Sequence, residues 1–238
     1  MLVSDCGGNT LTAEREHLKM KERCKMRFAP VVEEIQRLIT LMDGDMQTGS
    51  EYTEQLKNPI FVGIDGMCAT GKTTLGYYLK EQFDCNLFHM DDFFLRPEQR
   101  TPERLAQVGG NVDYERFREE VLEPIRKKEA VRYRPYCCRT GEITDGSRIA
   151  YKPLNIIEGS YSLHPFFGDL YDLRVFTEST PDRQKCHILE RNGEAMLQRF
   201  VEEWIPKENA YFEKFRIREK CLIVPWPEDT GNPEKYKK

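Results

Sequence analysis

Gly66, Gly71, Lys72 and Thr73 stand in the spacing G-x-x-x-x-G-K-T within GIDGMCATGKTTL. A loop that holds a nucleotide's phosphates needs each of these residue types. Glycines let the backbone curl until several N–H groups converge on the β- and γ-phosphates, a lysine adds a point charge, and a threonine hydroxyl can ligate Mg²⁺. The candidate ATP-binding residues are therefore Gly66, Met67, Cys68, Ala69, Thr70, Gly71, Lys72, Thr73 and Thr74, with Lys72 expected to face solvent. Asp91-Asp92 and Glu158 each end an apolar run. Acidic groups at the ends of neighbouring strands would converge on the γ-phosphate, because ligands of open α/β sheets bind beyond the strands' carboxyl ends.

The elements around these residues suit that geometry. Ile60 to Asp65 is an apolar run that reads as a buried strand, and Leu75, Tyr78, Leu79 and Phe83 follow at helical spacing. The loop thus joins a strand to a helix N-terminus, where the dipole favours anions. Further strands are predicted over 86–90, 153–158, 173–177 and 221–224, with a hairpin over 131–143 turning at Thr140-Gly141. Helices are predicted over 114–128 and from Thr180-Pro181 to about Phe215, the latter kinked or broken at Pro206. Strands separated by helices indicate an α/β, P-loop NTPase-type three-layer sandwich with a mostly parallel five-stranded sheet. Residues 59–238 form that domain. Residues 1–58 form an N-terminal appendage of a strand and an amphipathic helix. Leu18, Met20, Cys24, Met26 and Phe28 alternate with Lys19, Lys21, Arg23, Lys25 and Arg27, a period of two that predicts a half-buried strand with a basic face. From Pro30 the apolar Val31, Ile35, Leu38, Ile39 and Met42 share a helical face, expected to end at Asp43-Gly44-Asp45, with a polar link over 47–58.

The 238 residues carry a net charge of −4, so no general nucleic-acid binder is indicated. No apolar stretch approaches the ~20 residues of a membrane span, and the N-terminus lacks a signal peptide's layout. The eight cysteines are irregularly spaced, and Cys68 lies inside the phosphate loop, so they read as reduced thiols of a cytoplasmic protein. The adjacent Cys137-Cys138 pair is not a zinc motif. A GTPase would carry N-K-x-D, which is absent, and a motor or AAA-type ATPase would end its apolar strand in Asp-Glu, where this chain has Ile156-Ile157-Glu158-Gly159. A small-molecule kinase remains.

Over about residues 58–225 the chain resembles the uridine kinase family and its relatives, phosphoribulokinase and bacterial pantothenate kinase. The resemblance rests on GMCATGKTT, HMDDFF, GGNVDYERF, RPYCC, IIEGSYSLH and RVFTESTPDRQKCHILERNG in that order. It implies that Asp91 acts as base toward a nucleoside 5′-hydroxyl, that Phe94 lines the base pocket, and that Asp113 contacts ribose hydroxyls. It also implies that Glu158 holds Mg²⁺ through water beside Thr73, and that Arg183 and Arg191 reach the phosphates from a lid helix. Tyr136, in the hairpin, is a further substrate-binding candidate. The expected activity is transfer of the γ-phosphoryl of ATP, with Mg²⁺, to the hydroxyl of a small acceptor, a nucleoside such as uridine or cytidine in a salvage reaction. The chain departs from the family pattern in two places. The hairpin reads Pro135-Tyr136-Cys137-Cys138-Arg139 with no histidine, and Cys186-His187 stands where consecutive arginines are common. Other acceptors (pantothenate, a phosphosugar, glycerate) stay open, as do a nucleotide-dependent switch and a homo-oligomer. His89 is expected to pack in the core, and Arg100 and Arg104 either steer an anion or lie solvated.

Overall fold

The computed structural model describes residues 8–48 and 59–227, with side chains over 21–42 and 59–227. Its centre is a parallel sheet in which β1 (Ile60–Gly66) has β7 (Leu154–Glu158) and β8 (Leu173–Glu178) as neighbours, with β2 (Asn86–His89) and β9 (Leu222–Pro225) at the edges, in the order β2-β7-β1-β8-β9. All four pairings are parallel, as strands returned by helical crossovers must be. Small ladders pair β3 (Val131–Tyr133) with β6 (Ser147–Ile149) and β4 (Tyr136–Cys137) with β5 (Glu142–Ile143). The predicted hairpin therefore turns at the expected place, with its outer arm reaching Ile149.

Alternation along the strands divides the interior into two cores. Ile60, Val62 and Ile64 of β1, with Leu87, Ile156 and Val175, face α1 (Gly8–Thr48) and α2 (Lys72–Gln82). Phe61, Phe88, Ile157 and Phe176 face the opposite layer. There, α3 (Pro102–Leu105) precedes α4 (Tyr114–Phe117), which runs through a π-turn, Arg118–Leu122, into α5 (Glu123–Arg126). Next come α6 (Pro181–Asn192), α7 (Glu194–Arg199), a π-turn over Phe200–Trp204, and α8 (Ile205–Phe215). The sandwich has three layers, as expected. The break in the last helical stretch falls at Gly193, not at Pro206. Before Pro206 the helix runs on without a break but widens into the π-turn Phe200–Trp204, so the distortion expected of a residue with no N–H is present there.

The strand predicted over Leu18–Phe28 is helix, and α1 does not stop at Asp43-Gly44-Asp45 but reaches Thr48. The physical reason lies in the stripe Cys24, Phe28, Val31, Ile35, Leu38 and Met42, spaced by fours and threes, all of it packed into the α1–α2 core. Phe28, Val31 and Ile35 are fully buried, each contributing about 1.5–3 kcal/mol, whereas Met26, of the same parity as Phe28, is 73% exposed. Alternation of charge along 18–28 was thus a coincidence of composition. Of the predicted link, residues 49–58 lie outside the described residues.

Candidate active site

The phosphate loop follows β1 and is braced from three sides. Gly66 N–H donates to Asp65 Oδ1 at 2.7 Å, Met67 N–H to Thr177 O at 3.1 Å, and Cys68 N–H to Glu208 Oε2 at 2.9 Å. A Cβ on Gly66 would meet Thr177 O at 2.1 Å, so only glycine lets β8 approach here. Thr70 is fully buried and bonds Met67 O at 2.5 Å and Thr177 Oγ1 at 2.6 Å, which makes it a brace of the loop. Burial pushes the Cys68 thiol up to about 12, so it is inert. Lys72 corrects one expectation. It is not solvent-facing but 8% exposed, and its Nζ donates to Gly66 O at 2.7 Å and Met67 O at 3.0 Å. An ammonium taken from water needs such acceptors, and the loop's own carbonyls supply them.

Acidic groups meet this loop where β2 and β7 end. Thr73 Oγ1 lies 3.2 Å from both carboxylate oxygens of Glu158, itself buried. Glu158 also bonds His89 Nδ1 at 2.5 Å, which raises the imidazole's pKa despite its partial burial. His89 is therefore part of the site and not core filling. The sequence carried a signal for it, the alternation that puts His89 and Phe88 on opposite faces of β2, but no clue that Glu158 lay beside it in the sheet. Met90–Phe93 is a 3-10 turn, so helical geometry separates the two aspartates. Asp91 reaches solvent yet is walled by protein on most sides. That desolvation lifts its carboxyl to about 6, Lys72 opposing and the charges of Glu158, Glu208 and Asp92 assisting. Gly159 suits this place, since its φ of +132° favours glycine and a Cβ would press on Met90 Cβ at 3.0 Å and Asp91 Oδ1 at 3.2 Å. Asp92 instead accepts from the Tyr133 hydroxyl at 2.5 Å, and its carbonyl accepts from Arg116 at 2.9 Å.

The acceptor-side candidates are only partly assembled. Phe94 pairs with Val112 by an isolated bridge at the edge of the same 3-10 turn, and Asp113 N–H bonds Phe93 O at 2.7 Å. Asp113 is 2% exposed: Oδ1 caps α4 through Arg116 N–H at 3.1 Å, and Oδ2 accepts from Gln99 at 2.8 Å. Tyr136 is buried, its hydroxyl 3.4 Å from Arg100 Nη2. Arg104 is committed to Glu115 and to the carbonyls of Gly110 and Val112. A cavity of about 130 Å³ lies between Gln107–Asn111 and Tyr161.

On the other side of the loop a cleft of about 340 Å³ opens between Gly71 and Thr74 and helix α6, with Trp226 on its wall. Arg191 lines it, its Nε on Asn192 Oδ1 at 2.8 Å. Arg183 is drawn instead to Pro227 O at 2.5 Å. His187 faces Trp226 at 4.4 Å between ring centroids. Sequence reasoning overlooked Trp226, whose one signal was its place just past the last strand, and Glu208, which had none. Among the described residues no cluster of three or more His, Cys, Asp or Glu could cage a metal. A hydroxyl and one carboxylate, all oxygen donors, suit Mg²⁺, which binds through one or two carboxylates plus substrate phosphates. The seven described cysteines are unpaired, and no described helix is long and apolar enough to cross a membrane.

No family model matches the chain, and no curated protein matches it. Solved structures do. A Bacillus stearothermophilus protein described as "a Possible Uridine Kinase" is 18% identical with a TM-score of 0.54, over 82% of this chain and 100% of that one. The YGR205w protein is 17% identical with a TM-score of 0.51, over 79% and 94%. D-glycerate 3-kinase from Cryptococcus neoformans is 14% identical with a TM-score of 0.51, over 74% and 86%. The chain shares the fold of these three proteins.

Proposed function

We propose that this protein is a small-molecule kinase that transfers the γ-phosphoryl of ATP to a hydroxyl, most favourably the 5′-hydroxyl of a nucleoside such as uridine or cytidine. The observation that carries the reading is the meeting of three groups beyond the sheet's carboxyl edge: the loop with Lys72, the Thr73–Glu158 pair, and an Asp91 carboxyl lifted to about 6. Phosphoryl transfer asks the protein mainly to position reactants and neutralise charge. Lys72 and the loop N–H groups from Ala69 onward hold the donor phosphates, those of Gly66, Met67 and Cys68 being bonded to Asp65, Thr177 and Glu208. Thr73 and Glu158 would hold Mg²⁺, which supplies charge neutralisation between the phosphates. Asp91 is mostly ionised at neutral pH and close to the pKa at which a base is both available and strong, so it orients the acceptor hydroxyl and takes its proton. Arg191 supplies charge from the lid side. Residues 1–58 are read as an appendage to the kinase domain of residues 59–238.

For a ribose acceptor, a pair of hydroxyls takes the place of Gln99 on Asp113 Oδ2. A site that bonds buried hydroxyls leaves its own groups unpaired with an analogue lacking them, so a ribonucleoside should outcompete its 2′-deoxy form and Asp113→Ala should erase most of that preference. Arg100, beside Tyr136, favours a second reading in which the acceptor is anionic, such as glycerate. The test is a coupled ATP-consumption screen over nucleosides, vitamins and sugar acids. Stimulation by a nucleoside supports the first reading, and stimulation by an anionic acceptor alone supports the second. Slow turnover indifferent to every acceptor would leave a nucleotide-dependent switch.

A further inference from the structure

Among the described residues, it is Arg27 that carries the N-terminal helix to the phosphate loop. Arg27, half-buried, donates Nη2 to Thr70 O at 2.8 Å and Nε to Pro225 O at 3.0 Å. It thereby ties α1 both to the loop and to the end of β9. Its guanidinium carbon lies 4.4 Å from the centre of the Trp226 ring, and a Cβ on Gly71 would stand 3.1 Å from its Nη1 and 3.4 Å from Trp226. Arg27 and Trp226 are thus stacked against the edge of the 340 Å³ cleft that Gly71, Thr74, His187 and Arg191 also line. That volume falls in the range of small-molecule sites. The cleft offers the flat faces of an indole and an imidazole, and the buried His187 Nδ1 has no hydrogen-bond partner. It opens beside the loop whose N–H groups would take the phosphates, so the base and sugar of a bound nucleotide have this direction to follow.

We infer that Arg27 completes the donor site, holding Trp226 as the stacking wall for the nucleotide's base, so that residues of α1 set the affinity for the nucleoside half of the donor. The inference rests on the kinase reading above. Its chemistry is specific to arginine: the planar fork bonds two carbonyls in different segments while its face lies on an aromatic ring, which a lysine cannot reproduce. Arg27 is a positioning residue, acting through Trp226, while its bond to Thr70 O anchors the guanidinium.

Calorimetric titration of the full chain with a non-hydrolysable ATP analogue and, separately, with inorganic tripolyphosphate tests it. Arg27→Lys and Arg27→Ala should weaken the analogue about tenfold, the effect of losing one stacked, charge-assisted contact, while tripolyphosphate binding changes less than threefold. Ile35→Ala loosens the same helix two turns away, and it should lower Tm without moving either affinity. Analogue binding unchanged in a folded Arg27→Lys or Arg27→Ala protein overturns the inference. Equal losses for analogue and tripolyphosphate, or a loss matched by Ile35→Ala, would also overturn it by making Arg27 a mere brace. A parent protein that binds neither probe overturns the kinase reading first.

Discussion

Replacing Asp91 by Asn separates a catalytic carboxylate from a decorative one, because the two properties it would change move in opposite directions. As a general base, Asp91 should be worth about 10²–10⁴ in kcat, with little effect on the KM for ATP. Its cost to the fold can be worked from the same environment. A carboxyl lifted from 3.8 to about 6 in the folded chain corresponds to about 3 kcal/mol if undiluted. Solvent reaches Asp91, and screening reduces that to about 1 kcal/mol. Between those pH values the folded state binds the proton more tightly than the unfolded one, so ionised Asp91 destabilises the fold fully above pH 6, and the penalty fades as pH falls toward 3.8. Asp91→Asn should therefore raise the Tm of the ligand-free protein by about 2–4 °C at pH 8, with the gain shrinking between pH 6 and pH 4, while activity collapses. Differential scanning fluorimetry across pH and a coupled steady-state assay read the two effects. The parent protein's kcat should also fall on the acid side of about pH 6. A folded Asp91→Asn protein with near-normal kcat, or with a Tm that drops at pH 8, refutes the reasoning. Asp92→Asn should do the reverse, costing stability through the Tyr133 bond and sparing most of kcat.

Lys72→Ala should abolish turnover and leave the chain folded by circular dichroism, since the loop's other braces do not pass through Lys72; phosphoryl transfer at near-normal rate would reject the loop as the donor site. Glu158→Gln should raise the Mg²⁺ concentration needed for half-maximal activity and weaken the bond that raises the His89 pKa. NMR titration should then show the His89 pKa falling from its raised value toward or below 6.5, and an unmoved His89 pKa would show that another group sets it. Asp113→Ala removes a helix N-cap, so guanidinium denaturation should report a loss of about 1 kcal/mol, whatever it does to acceptor preference.

Spacing within a short window is enough to specify a phosphate loop, because each residue's role there is played against its immediate neighbours: Gly66 to Thr73 could be recognised without any fold. The strand-and-helix alternation over residues 59–225 was legible for the same reason, as periodicity and turn residues are local, and it led to a parallel sheet. The helix over residues 8–48 was misread in part because two periods coexisted between Leu18 and Phe28, and a charge alternation says nothing about which face will find a core. What decided it was burial: Phe28, Val31 and Ile35 lie in the core that α1 shares with α2, β8 and β9, contacts between residues tens of positions apart. The same holds for the chemistry. Lys72 turned inward because Gly66 and Met67 carbonyls surround it, Asp91 gained a pKa near 6 from protein folded around it, and His89 met Glu158 because β2 lies beside β7. Arg27 reached Trp226 across almost the whole described chain. Local geometry is set by neighbours along the backbone, so residue types and spacing reveal it. Desolvation and charge pairing depend on which segments share a volume, and the tertiary structure alone settles that.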